Sequence, residues 1–397
     1  MSILEQAHAI REQIVADRRH IHQNPELGLE LDQTAAYVTK RLKEMGYEPK
    51  PCGKNGVVAT IGTGGKTILL RADMDALPIL EDSGEAFCSV TNGRAHCCGH
   101  DLHTSMLLGA AKLLKDNESK LQGTVKFMFQ PGEEIFAGAK SMIEDGLFTD
   151  SPVDAAIGMH VFPSQKIGTF CHHKGALMAS VDGFKIHIKG MGCHGAQSFA
   201  GIDPINIGIH IHLALQEVIA REIDSNETAL ITIGQFTAGQ AANIIPETAM
   251  MQGTLRTFSN DVRDFMVKRL HEICESVAKT YRGSVEVEML YEIPTNYCNE
   301  EMTTDVVSYI ENMNAEVQNS SVSKIIQEES DKIQGSEDFA LVAATVPSTF
   351  LLLGANFPEG NKVDVIHNPK VVFNEDCLPI GAAAYASCAI QWLENHK

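Results

Sequence analysis

The stretch Thr124–Glu134, TVKFMFQPGEE, is an apolar run, a Pro-Gly break and then two adjacent acids. The run reads as a buried strand, and Glu133 and Glu134 fall at its carboxyl end. Two neighbouring carboxylates repel when ionised, so such pairs usually sit on a solvated face. At the end of a buried strand a cation relieves the repulsion. It holds Glu134 ionised and leaves Glu133, on the opposite side of the backbone, as a base.

Outward from this stretch, strand-like runs recur at 56–62, Thr67–Asp73 and Ala155–Val161. Helical spacing links Ala35, Val38, Leu42 and Met45, with Gly46 as the stop, and also marks Thr104–Leu114 as a buried helix. Strands alternating with helices imply an α/β domain with a mostly parallel sheet, in which ligands gather where strands end. From Val181 the pattern changes to strand 184–188, helix 204–221, strands 229–236 and 248–258, helix 261–281 and strand 284–291. That order, β-α-β-β-α-β, is the split arrangement of a ferredoxin-like sandwich. The chain then resumes its α/β texture. We therefore expect one domain from residues 1–181 and 295–397, with 182–294 inserted into it.

The chain has 397 residues, 44% hydrophobic and 21% charged, as in a soluble globular protein of two domains. No apolar run approaches the ~20 residues that span a bilayer, and the N-terminus lacks a signal-peptide core. Ten scattered cysteines in a chain of this size read as reduced thiols, so a cytoplasmic location is expected. A net charge of −19 argues against nucleic acid or an anionic membrane as partner.

Four further places carry candidate chemistry. In Cys98-Gly99-His100 a thiolate and an imidazole two residues apart can reach one ion, because the glycine lets the backbone turn sharply. Asp73 and Asp75 face one side at a strand end, where a carboxylate can hydrogen-bond a ligating histidine and fix its tautomer; capping is the competing use. His160 closes the strand begun at Ala155, and His367 lies far downstream in the segment 364–368. With Cys98, His100 and Glu134 they supply five nitrogen, sulfur and oxygen donors. That mixture suits zinc, manganese, cobalt or nickel, as one divalent ion or two.

The strings RADMDALP (71–78), CGHDLH (98–103), QPGEE (130–134) and GMGCHGA (190–196), in this order, resemble the M20 metallopeptidase family. The similarity is to its amidohydrolase branch of aminoacylases, hippurate hydrolases and auxin-conjugate hydrolases, and runs from Arg18 to His367. It implies a metallopeptidase-type catalytic domain with an inserted lid and dimerisation domain. Carried over by position, Cys98, His100, Glu134, His160 and His367 are the metal ligands and Glu133 the general base. His194 is the histidine that reaches a neighbouring active site in a homodimer, and Asn243 and Arg256 face the substrate. Cys97, Gly132 and Glu247 depart from the usual alanine, alanine and aspartate, which touches substrate preference rather than the ligands.

The expected reaction is hydrolysis of an N-acyl amino acid, or a short peptide, to a carboxylic acid and a free amino acid. A guanidinium at Arg256 suits the substrate's free carboxylate; a structural salt bridge is its competing use. Other readings within the family are a dipeptidase, a carboxypeptidase or an N-acetyl-diaminopimelate deacetylase. Outside it stand a thiol hydrolase using Cys98 with His100 or His103, and a protein that binds metal or ligand without turnover.

Overall fold

The computed structural model describes residues 1–149, 152–317, 325–357, 363 and 365–397. Two compact units emerge. The larger comprises Met1–Gly175, Tyr297–Asp331 and Asp338–Lys397, and the smaller Ala176–Asn296 with Lys332–Glu337.

The larger unit is built on an eight-stranded sheet in the order Lys50–Pro51, Val57–Gly62, Thr124–Gln130, Thr67–Asp73, Ala155–Lys166, Ser348–Asn356, Thr169–His172, Ile326–Glu329. Its four central strands are mutually parallel, and antiparallel pairings appear only toward the two sides. Every residue of Thr67–Asp73 is buried, as expected of a parallel strand covered on both faces. The helices Arg11–Gln23, His100–Asp116 and Cys377–Asn395 pack on one another, and the last two also pack on Thr67–Asp73.

The strand begun at Ala155 does not stop at Val161 but continues to Lys166. Its ladder with Thr67–Asp73 ends at Ile157, while its ladder with Ser348–Asn356 carries on beyond it. His160 therefore lies where the strand has lost one neighbour and that flank is open to side chains from elsewhere. The helix expected from Thr104 begins earlier, at His100, after Gly99 in the left-handed region at φ 95°.

In the smaller unit the strands Val181–Lys189, Ala229–Ala238, Thr248–Thr257 and Ser284–Ile293 form an antiparallel sheet in the spatial order second, third, first, fourth. The helices Pro204–Glu217 and Asn260–Thr280 pack against it, burying Ile207, Ile211, Leu270 and Cys274 with Phe184, Ile186 and Met251. This is the ferredoxin-like arrangement expected from the order of elements. The segment Lys332–Glu337 joins this unit through the N–H of Ala179, which donates to the carbonyls of Ile333 and Gly335. No helix among the described residues is long and apolar enough to cross a membrane.

Candidate metal centre

The acid pair is held by its backbone. Asp75, just past the end of Thr67–Asp73, accepts the N–H of Glu133 on Oδ1 at 3.0 Å and that of Glu134 on Oδ2 at 3.1 Å. Gly132, at φ 62°, makes the turn that delivers these two amides. The carbonyl of Asp75 accepts from His100 Nδ1 at 2.9 Å, which leaves Nε2 of His100 as its free ligand atom. That Nε2 and Oε1 of Glu134 are both buried without a hydrogen-bond partner among the described residues, 3.8 Å apart. Buried polar atoms are seldom left so, and two facing each other mark a place for a cation.

The remaining donors close around them. Cys98 Sγ is 3.3 Å from His160 Nε2 and 3.2 Å from His367 Nε2. His367 Nε2 is 3.5 Å from Glu134 Oε1. His160 donates Nδ1–H to the carbonyl of Val161 at 2.7 Å, which turns Nε2 inward. The backbone of His367 is left-handed, at φ 62°, and its N–H returns to the carbonyl of Cys97 at 2.9 Å. Ligands at ~2.0–2.3 Å from a tetrahedral ion lie roughly 3.3–3.8 Å from one another, so these separations suit a metal. Of the five close groups of potential ligands among the described residues, the two made only of these five donors are Cys98/His100/His160 and Cys98/Glu134/His367, with Cys98 common to both.

Burial and the carboxylates of Glu134, Glu133 and Asp73 push the Cys98 thiol far above its usual range. Burial drives His160 far down. For His100 burial acts downward, but Asp73, Asp75 and Glu134 prevail and raise it to about 10. Burial raises Glu134 despite His100 and His367. The negative potential thus keeps protons on His100 and Cys98, and a divalent ion would displace them. A thiol nucleophile needs an environment that favours the thiolate, and without a cation this one does the opposite.

Glu133 is buried, with Oε2 3.9 Å from His100 Nε2. Neither Asp73 nor Asp75 makes a short side-chain bond to His100, the nearest approaches being 3.7 and 3.5 Å. The carboxylate of Asp73 instead binds His103 Nδ1 at 2.6 Å and Arg71 at 2.6 Å. Of the segment 364–368, Asp364 lies outside the described residues.

The other three site residues belong to the smaller unit. His194 is exposed, and its Nδ1 accepts the N–H of Ala196 at 3.1 Å, which in the neutral ring leaves the proton on Nε2. Asn243 is beside it, its carbonyl accepting the N–H of Gly195 at 2.8 Å. Arg256 is apart from both, near the far end of Thr248–Thr257 and opposite Leu230. It donates to Thr254 Oγ1 at 3.0 Å and forms no ion pair among the described residues. A cavity of about 1040 Å³ on this unit, lined by His187, Lys189, Pro246, Met250 and Glu286 among others, contains none of the five donors.

Several supporting groups escaped the sequence reading. Arg18, fully buried, donates to Asp101 at 2.8 Å, and His22 donates to the same carboxylate oxygen at 2.8 Å, which ties the start of the His100 helix to Arg11–Gln23. Asp338 accepts from Arg71 at 3.2 Å, from Gln130 at 2.6 Å and from the N–H of Ala139 at 3.0 Å. His103 shares a face with His100 because the helix begins at His100, three residues earlier, rather than at Thr104.

The sequence matches peptidase family M20/M25/M40 over residues 69–391. It is 37% identical to N-acetyl-L-cysteine deacetylase of Bacillus subtilis, covering 87% of this chain and 81% of that protein. It is 34% identical to the hippurate hydrolase of Campylobacter jejuni, over 95% of this chain and 96% of the other. Among solved structures, a dinuclear metal-binding peptidase of the M20 family from Bacillus subtilis superposes with a TM-score of 0.82 at 32% identity, covering 98% of this chain and 99% of that one. The chain belongs to peptidase family M20/M25/M40, as a metal-dependent amidohydrolase.

Proposed function

We propose that the chain hydrolyses N-acyl amino acids to a carboxylic acid and a free amino acid. The observation that carries this reading is the pairing of Glu133 with the five-donor cluster. The relatives add support, since those named above are an N-acetylcysteine deacetylase and a hippurate hydrolase.

Cys98, His100, Glu134, His160 and His367 would hold one or two divalent ions, of zinc, manganese, cobalt or nickel; two is favoured because Cys98 is common to both donor groups. Such an ion supplies Lewis acidity and lowers the pKa of a water. Glu133 takes the proton of the attacking water and returns it to the leaving amine. His194 donates Nε2–H to the oxygen that gains charge, in the site of a neighbouring copy, and Asn243 beside it supplies a second polar contact. Arg256 binds the substrate carboxylate; its guanidinium has no competing ion pair among the described residues, which favours that use over a structural one.

A homodimer is part of this reading. The edge strand Ala229–Ala238 exposes Leu230 and Phe236, and the helix Pro204–Glu217 exposes Ile209 and Leu213. The opposite edge strand carries Glu286, Glu288 and Glu292, which discourage pairing there. Ten free cysteines suit a reducing, cytoplasmic setting.

The test is to strip the protein with a chelator, restore Zn, Mn, Co or Ni, and follow amine release. The panel is N-acetyl, N-benzoyl and long-chain N-acyl amino acids beside dipeptides and longer peptides. Metal-restored cleavage of the acyl amino acids supports the proposal. Cleavage confined to peptides would replace it with a peptidase role, to which a carboxypeptidase of Saccharolobus solfataricus, 35% identical over 96% of both chains, lends weight.

A further inference from the structure

We infer that His103 is a positioning residue that sets the orientation of His160 through the backbone of Val161. The inference rests on the reading of His160 and Cys98 as metal ligands, and concerns how this chain holds one of them in place.

His103 is fully buried on the helix His100–Asp116, and both of its ring nitrogens are engaged. Nε2 accepts the backbone N–H of Val161 at 2.9 Å. A peptide N–H only donates, so the lone pair must be on Nε2 and the proton on Nδ1, where it is donated to Asp73 Oδ1 at 2.6 Å. Asp73 is anchored in turn by Arg71 at 2.6 Å. The tautomer of His103 is therefore dictated from both sides.

The N–H that His103 captures belongs to the peptide immediately after His160. Fixing that peptide fixes the direction in which the His160 side chain leaves the backbone. On the far side of the same residue, the carbonyl of Val161 accepts Nδ1–H of His160 at 2.7 Å, which fixes the rotation of the ring. The two imidazoles also meet edge to face, with centroids 4.6 Å apart at 68°. The result is that His160 Nε2 points at Cys98 Sγ, 3.3 Å away.

Val161 also reaches the loop that bears the other donors. A Cβ on Gly99 would come within 2.4 Å of Val161 Cγ2, so this side chain presses directly on the backbone between Cys98 and His100. One residue, clamped by His103, thereby registers the His160 strand against the Cys98–His100 loop. A purely structural core ring would need no polar atoms here. An apolar residue of that size would fill the space and leave the Val161 N–H unpaired in the interior.

The test is cobalt(II) titration of the metal-stripped protein, read by the thiolate-to-cobalt absorption in the near ultraviolet and the visible bands that report coordination. Three variants separate the roles. His103→Gln places a carbonyl near the position of Nε2 and can still accept from Val161. His103→Asn keeps only the contact to Asp73, and His103→Phe keeps only the bulk. The native protein and His103→Gln should bind cobalt with similar affinity and spectra, within a few fold. His103→Asn and His103→Phe should bind about 10–100-fold more weakly, with altered visible bands. Either of those two suffices should the other fail to fold, as thermal unfolding of the metal-free proteins would show. Equal affinities and spectra for His103→Gln and the variant lacking the acceptor would overturn the inference while leaving the metal site standing. A native protein that takes up no cobalt would overturn both.

Discussion

Asp75 Oδ1 accepts the backbone N–H of Glu133 at 3.0 Å, while its second oxygen takes the next amide. One carboxylate thus sets the backbone of both the proposed base and a proposed ligand. An amide in its place would turn an NH₂ donor toward one of two N–H donors. Asp75→Asn is expected to destabilise the protein by about 1–3 kcal/mol and to lower turnover about 10–100-fold. Denaturant unfolding and steady-state kinetics check the two effects, and a variant with native kinetics would show that Asp75 does not position the pair.

Metal uptake should depend on pH in a definite direction. His100 is raised to about 10 and Cys98 lies far above its usual range, so both carry protons at neutral pH before an ion binds. Binding must release them, so affinity falls on acidification and rises with pH through about 10, where His100 gives up its proton. Calorimetry in buffers of different ionisation enthalpy should report about two protons released in all as the centre fills at pH 7. Release of none would mean that His100 and Cys98 do not ligate.

The Arg18–Asp101 pair makes a prediction about stability rather than chemistry. Asp101 is fully buried; burial alone would raise its carboxyl, but Arg18 and His22 hold it far below the carboxylate range. A depressed folded-state value means stability that is present above the unfolded pKa and lost as pH falls toward the folded one. Arg18→Met removes the guanidinium from a buried carboxylate, leaving only His22 on it, and should cost about 3–5 kcal/mol at pH 7. The deficit should shrink below pH ~4, where the unfolded carboxyl protonates. A deficit that stays constant from pH 7 to 3 would contradict the electrostatic account.

Gly99 has two reasons to be glycine, φ 95° and the 2.4 Å approach of Val161 to any added Cβ. Gly99→Ala is expected to cost at least ~1–3 kcal/mol and to weaken metal binding, since Cys98 and His100 flank the site of strain. Metal affinity measured beside unfolding would separate the two. Native affinity in the alanine variant would mean that the loop adjusts without moving its donors.

The sequence exposed some features of this molecule more readily than others. Thr67–Asp73 and Thr124–Gln130 were legible to the residue, because buried parallel strands are apolar runs bounded by loop-forming residues. The side chains that gather around Cys98 stand in the sequence at strand ends and in a glycine loop, and their proximity is what the fold adds. The start of the His100 helix was not, because Cys98-Gly99-His100 has the composition of a loop while Gly99 serves as the cap. Nor was the division of labour between Asp73 and Asp75. Each finds its partners across 25 to 59 residues of chain, in His103, His100, Glu133 and Glu134, and sheet register rather than local pattern decides which carboxylate meets which group. The extension of the His160 strand depended likewise on the reach of Ser348–Asn356.

The central claim is that Glu133 moves the proton while its neighbours hold the metal. Its most direct test is Glu133→Gln, with metal content and turnover measured on the same preparation beside the native protein. The account predicts unchanged metal content and turnover reduced by about 10²–10⁴-fold. Turnover within a few fold of native, with metal in place, would contradict it.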